Sequence, residues 1–161
     1  MKGRNIARTS VALTVAILGA GTIGIGQGEG RTCKRVHADL VEQLSTTNCR
    51  PSHPVCFLGE VDGNHGLRGT TYFRAESATA PIPTSPAFVG YGGTFEYTTG
   101  RGTIVARESG VTSTSVGVVT AHQQIIEGSG DFAGVTGHFF VSGSNNGQEV
   151  VTTVTGEVCY P

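Results

Sequence analysis

The chain has 161 residues, including 25 glycines, with no tryptophan, 14% charged residues and a formal net charge of −1. That length suits one domain with a sizeable core and leaves no room for a second. Glycine, with Thr, Val and Ser recurring through the second half, excludes an extended helical bundle in favour of short strands and tight turns, and the mildly acidic balance argues against nucleic acid as a partner.

The N-terminus starts basic, with Lys2, Arg4 and Arg8, then runs apolar from Val11 to Ala20 and exits through a glycine-rich stretch to Gly26. These three parts make residues 1–26 a signal peptide, although no Ala-x-Ala marks its cleavage site. The apolar centre falls short of the roughly 20 residues that span a membrane. Counting in residues 21–26 gives an uncleaved anchor as the alternative. A removed signal makes the domain secreted or extracytoplasmic, more acidic than the whole chain, and not embedded in the membrane. Arg31, Lys34 and Arg35 cluster just beyond it, as a solvated segment rather than a nucleic-acid patch.

Residues 27–54 read as an N-terminal extension. Within residues 31–48, Val36, Leu40, Val41 and Leu44 recur at three- and four-residue spacing, which predicts a short helix ending before Pro51 and Pro54. After Pro54 the pattern changes to strands separated by glycine. Residues 55–61 and 68–76 form a hairpin around Asp62-Gly63-Asn64-His65-Gly66. Residues 78–86 hold three prolines and make a loop. Residues 87–98 form a long strand with a bulge or bend expected at Gly90, Gly92 or Gly93. Strands follow at 103–108, 111–116, 120–127, 135–142 and 149–160. Eight strands in succession with short connections predict an all-β fold, an eight-stranded antiparallel barrel over residues 55–161, with a sandwich as runner-up. No helix-sized gaps separate the strands, which counts against a parallel α/β sheet.

Cys33, Cys49, Cys56 and Cys159 are an even set in an exported chain, so two disulfides are expected. Of the three pairings, Cys33–Cys49 with Cys56–Cys159 is preferred, because Cys56 falls on the first confident strand and Cys159 on the last, and closure makes those strands neighbours. A zinc site is the rival. No C-x-x-C or H-x-x-x-H spacing occurs and the five histidines are scattered, so no metal or other cofactor is expected.

The most specific stretch is Gly128-Ser129-Gly130-Asp131-Phe132-Ala133-Gly134-Val135-Thr136-Gly137. It reads as a tight connection in which Phe132 tucks back as a plug. The pattern G-[ST]-G-x-F-x-G-x-x-G followed by a strand resembles the glycine turn of the allene oxide cyclase barrel superfamily, which includes dirigent proteins and exported bacterial domains. The terminal strand from Val150 to Val158 fits the same plan. The resemblance covers roughly residues 55–160. It implies a barrel with an apolar cavity in which a few polar groups steer an unsaturated or phenolic ligand, and often a homo-oligomer. Plant cyclases are thought to use a first-strand carboxylate, and Glu60 is the residue in a comparable place here; the surrounding sequence departs from the plant catalytic pattern.

Alternation sets Cys56, Leu58 and Glu60 against Val55, Phe57, Gly59 and Val61. Glu60 is a surface charge if the second set fills the core, and a buried acid if the first does. Tyr72 falls opposite Phe73, and Tyr91, Phe95 and Tyr97 share a face. Ile104 and Glu108 fall opposite Val105 and Arg107, and most of the charges on these strands read as exterior cross-strand pairs. Phe73, Tyr91, Phe95, Tyr97, Phe139 and Phe140 are core residues that could also line a ligand cavity. Neither a G-x-S-x-G elbow nor a phosphate loop occurs. The leading expectation is a barrel that binds a small apolar ligand or acts as an interaction module. The alternative is a cofactor-free isomerase or cyclase, with Glu60 as acid and Tyr72 or Tyr97 orienting the ligand.

Overall fold

The structure is a computed structural model that describes residues 30–79, 84, 87–113 and 117–161. The expected signal, residues 1–26, lies outside the described residues. Eight antiparallel strands form a closed barrel in simple sequential order: β1 (Thr32–Ser45), β2 (Cys56–Gly63), β3 (Arg68–Ala78), β4 (Phe88–Thr99), β5 (Gly102–Ser113), β6 (Val118–Gly128), β7 (Thr136–Asn145) and β8 (Glu149–Tyr160).

Two corrections lie beneath that agreement in number. The segment expected to be helical is β1, which pairs with both β2 and β8 and closes the barrel, so the barrel starts at Thr32 and not at residue 55. Its buried residues are Val36, Ala38, Leu40 and Glu42, a strict period of two, while Val41 and Leu44 from the helical pattern are exposed. Conversely, residues 103–108 and 111–113 belong to one strand, and the remainder of the expected 111–116 strand lies outside the described residues. Ser109 and Gly110 lie inside β5, paired with β4 on one side and β6 on the other. Glycine at 110 does not break the strand there. It leaves room for Tyr91, whose ring would meet a Cβ at 2.4 Å.

The disulfides follow from the true first strand. Cys33 of β1 sits opposite Cys159 of β8 and bonds to it across the closing seam. Cys49 bonds to Cys56, tying the β1–β2 connection to the start of β2. The Cys33–Cys49 and Cys56–Cys159 pairing is therefore replaced. The rule that first and last strands are bridged holds, with Cys33 in the place assigned to Cys56.

Register shifts occur at two points. One lies between Ala75 and Ser77 of β3, opposite Gly92 and Gly93, and turns Glu76 outward. The other lies opposite Val105–Ala106, where β6 carries the extra residue Ile126, which is left exposed. One end of the barrel is filled by Val36, Val61, Leu67, Tyr97, Ile104, Ile125, Phe139 and Val158. The 3₁₀ turn Gly130–Phe132 covers this end, with Phe132 driven into the core at 1% exposure. The turn demands glycine at 130, where φ is +59° and a Cβ would fall 2.4 Å from the Arg101 carbonyl oxygen.

Candidate functional site

The same alternation that fills one end with hydrocarbon places polar side chains inside the other half. Glu42 continues the inward row Val36, Ala38, Leu40 of β1; Glu108 continues Ile104 and Ala106 of β5; Gln123 lies between Ala121 and Ile125 of β6. Glu42 and Glu108 are each 6% exposed and Gln123 is fully buried. Buried carboxylates without counter-ions are rare, because removing a charge from water costs several kcal/mol.

Glu108 is held by its neighbours. The Tyr97 hydroxyl donates to Gln123 Oε1 at 2.6 Å, and Gln123 Nε2 donates to Glu108 Oε2 at 2.5 Å. Tyr91 adds a second hydrogen bond to Glu108. Burial raises the pKa of Glu108, and these two hydrogen bonds oppose the rise. Glu42 has no such support: its Oε1 is buried without a hydrogen-bond partner among the described residues, as are Thr71 Oγ1 and Thr152 Oγ1. Burial first, and the nearby Glu108 second, push the Glu42 carboxyl up to about 8, so it is mostly protonated at neutral pH. Of the two carboxyls, Glu108 is the one whose ionised form is favoured by hydrogen bonds, from Gln123 and Tyr91. Burial and then the Glu108 charge push both Tyr91 and Tyr97 well above the ordinary phenol range, so both stay neutral donors.

Gly59 makes the position of Glu42 feasible. It is paired with Glu42 on β1 and Thr71 on β3, and a Cβ there would lie 2.6 Å from both Glu42 Cγ and Thr71 Oγ1. Beside this group is a cavity of about 170 Å³ lined by Glu42, Phe57, Phe73, Ala75, Tyr91, Glu108, Thr112, Val119, Val141, Asn145, Val150 and Thr152. An apolar cavity of about 150 Å³ is large enough for benzene. Among the described residues no Lys, Arg or His lines the cavity.

The expected site residues divide between the two faces of the sheet. Phe73 and Tyr91 line the cavity; Phe95, Tyr97 and Phe139 are buried in the core beneath it, Phe95 stacking on Phe73 and packing against Tyr97. Glu60 is exposed on the outer face, in a shallow depression with Asp39, Asp62 and Arg68, and has no access to the interior. Val61 and Phe57 take the inward positions of β2. Phe140 is 53% exposed on the outside, against His122 and His138.

Tyr72 also points outward. His53 in the β1–β2 connection hydrogen-bonds the Tyr72 hydroxyl through Nδ1 at 2.6 Å and meets Arg74 Nη1 through Nε2 at 2.9 Å. Arginine can only donate, so Nε2 accepts and the Nδ1 proton is given to Tyr72. Burial, then Arg74 and Arg50, lower the pKa of His53. Arg50 lies over the Tyr72 ring and pairs with Glu96 at 2.8 Å. Hydrogen bonds from Thr94, Arg74 and Arg107 bring Glu76 down to about 2. With the Cys49–Cys56 bond, this network fixes the connection to the outer wall of β3 and β4.

Glu42, Gln123, Glu108, Thr71 and Thr152 are not among the expected site residues; Glu108 belongs to a set of strand charges most of which the alternation places outside. Glu42 was hidden by the helical reading of β1. Glu108 and Gln123 were accessible to the period-two signal, since each shares a strand face with buried aliphatic residues.

No protein-family model, curated protein or solved structure matches the chain. Among the described residues no helix is long and apolar enough to cross a membrane.

Proposed function

We propose that the chain is an exported barrel that binds one small, mainly apolar molecule inside its wall. The observation that carries this reading is the cavity of about 170 Å³, walled by Phe57, Phe73, Ala75, Tyr91, Val119, Val141 and Val150. Small-molecule sites have this constitution: an apolar wall with a few convergent polar groups. The paired cysteines support export, since disulfides persist in oxidising compartments. An eight-stranded barrel with a glycine turn at residues 128–137 also supports kinship with the allene oxide cyclase barrel superfamily, which stays a proposal.

The test is a titration with toluene followed by NMR of the cavity methyl groups. Toluene should shift Val119, Val141 and Val150 and raise the melting temperature, as any ligand selective for the native state does. Val119→Phe, which fills the cavity, should abolish both effects. Unmoved methyl resonances at saturating toluene would overturn the reading.

A second reading, cofactor-free isomerisation, is favoured by one observation: two interior carboxyls in unlike surroundings, Glu108 hydrogen-bonded by Gln123 and Tyr91 and Glu42 unpaired at Oε1, the kind of difference that sets an acid apart from a base. The acid is then Glu42, not Glu60, and the base Glu108. Exchange of solvent deuterium into a bound enolisable ketone, lost in Glu108→Gln, tests it; equal exchange in that variant excludes it.

A further inference from the structure

The cavity contains more acid than its wall can neutralise. Glu42 and Glu108 both line it; among the described residues no basic side chain does, and Glu42 Oε1 and Thr152 Oγ1 have no hydrogen-bond partner. An unpaired buried polar group costs about 1–3 kcal/mol, and three lie in this part of the barrel, Glu42 on β1, Thr152 on the neighbouring β8 and Thr71 on β3 across Gly59 of β2. Each of these oxygens can accept a hydrogen bond, and a donor that carries positive charge also complements two carboxyls that have no basic neighbour in the wall.

We infer that the cavity takes a small primary organic ammonium ion, its three N–H donors meeting Glu42, Glu108 and Thr152 and its hydrocarbon part lying against Phe57, Phe73 and Tyr91. This rests on the ligand-binding reading above and adds the chemical class. A metal ion fits poorly, because calcium takes six to eight oxygens and magnesium a near-octahedral set, whereas this wall is mostly aliphatic and aromatic. A neutral alcohol satisfies one or two acceptors and brings no charge to set against the two carboxyls. The aromatic faces favour a cation over a neutral polar group of the same shape. The volume holds a ring of about six carbons with one substituent, on the scale of the benzene-sized cavity.

Proton linkage follows from the same geometry. Besides Glu42, the titratable groups facing the site are Glu108 on β5 and Tyr91 and Tyr97 on β4; β2, β3, β6, β7 and β8 contribute Phe57, Thr71, Gln123, Asn145 and Thr152, none of which titrates. An ammonium ion beside Glu42 favours its ionised form, so binding releases part of a proton near neutral pH.

Cyclohexylammonium and cyclohexanol, which match in shape and differ in charge, are the probes, titrated calorimetrically into the disulfide-intact protein, Glu42→Gln and Glu108→Gln. The wild type should bind cyclohexylammonium about tenfold tighter than cyclohexanol, the preference one charge-assisted hydrogen bond supplies. Each variant should retain cyclohexanol binding and lose most of that preference, and circular dichroism checks that both are folded. Cyclohexanol binding as tightly as the ammonium overturns the cation inference and leaves the ligand-binding reading standing. Binding of neither probe overturns both. A preference that survives in both variants also overturns the inference, because the charge would then be recognised elsewhere.

Discussion

Replacing Glu42 by Gln should make the protein more stable, and increasingly so as the pH rises. The carboxyl has a pKa of about 8 in the barrel against an ordinary value of 4.5, set first by burial and then by Glu108. Below pH 4.5 it is protonated in both the folded and unfolded states and contributes nothing to the pH dependence. Between 4.5 and about 8 the unfolded chain releases this proton while the folded one retains it, so stability falls as pH rises. Above 8 the folded carboxyl ionises too and the loss levels off. From pH 5 to pH 9 the loss from this one group integrates to about 4 kcal/mol, a large share of the 5–15 kcal/mol that stabilises an ordinary domain. Glutamine keeps the shape without the titration. Urea denaturation of both proteins at pH 5, 7 and 9, with disulfides intact, reads the difference directly. The gap should widen in favour of Glu42→Gln by about 4 kcal/mol across that range. A gap that stays constant with pH would refute the placement of Glu42 as a neutral acid inside the barrel.

Gln123→Leu preserves volume but removes the acceptor for Tyr97 and a donor to Glu108, and should destabilise by about 2–5 kcal/mol in the same assay. Gly59→Ala forces a methyl group to within 2.5 Å of the Val41 carbonyl and 2.6 Å of Glu42 Cγ, so it should cost about 1–3 kcal/mol and weaken toluene binding; wild-type stability would show that the wall yields freely. The two disulfides should differ. Cys33–Cys159 closes a sequence separation of 126 and Cys49–Cys56 one of 7, so by loop entropy paired serine variants should lose about 5 and about 2.5 kcal/mol respectively in calorimetric unfolding. An equal loss would argue against closure entropy as the source.

The all-β class and antiparallel order were legible because alternation and glycine turns are local, and seven of the eight structural strands overlap the segments from which they were expected. The strand that was missed shows how local patterns fail. In β1 the inward set is Val36, Ala38, Leu40 and Glu42, and two of those four are not strongly apolar, while the outward Val41 and Leu44 are. Hydrophobicity alone therefore traces a helical spacing through a strand. The error at Ser109-Gly110 has the same origin. Glycine there accommodates the Tyr91 ring from the neighbouring strand, a contact that no local reading of β5 contains.

The site was less legible than the fold. Phe73 and Tyr91 were expected at a cavity because aromatic residues on an inward face are common to cores and ligand walls, but Glu60, Tyr72 and Phe140 face outward, where a one-residue offset in alternation puts them. By itself the sequence determined the all-β class, the glycine turn with Phe132 at its tip, and the four cysteines as two pairs, since each depends on residues close in the chain or on simple parity, whereas the count of eight strands came out right through a missed β1 and a divided β5 that offset each other. Only the closed barrel decided that Cys33 is the residue bridged to Cys159, and that Glu42 on β1 and Glu108 on β5 line one cavity. Those are relations between strands far apart in sequence, and ring closure brings them together.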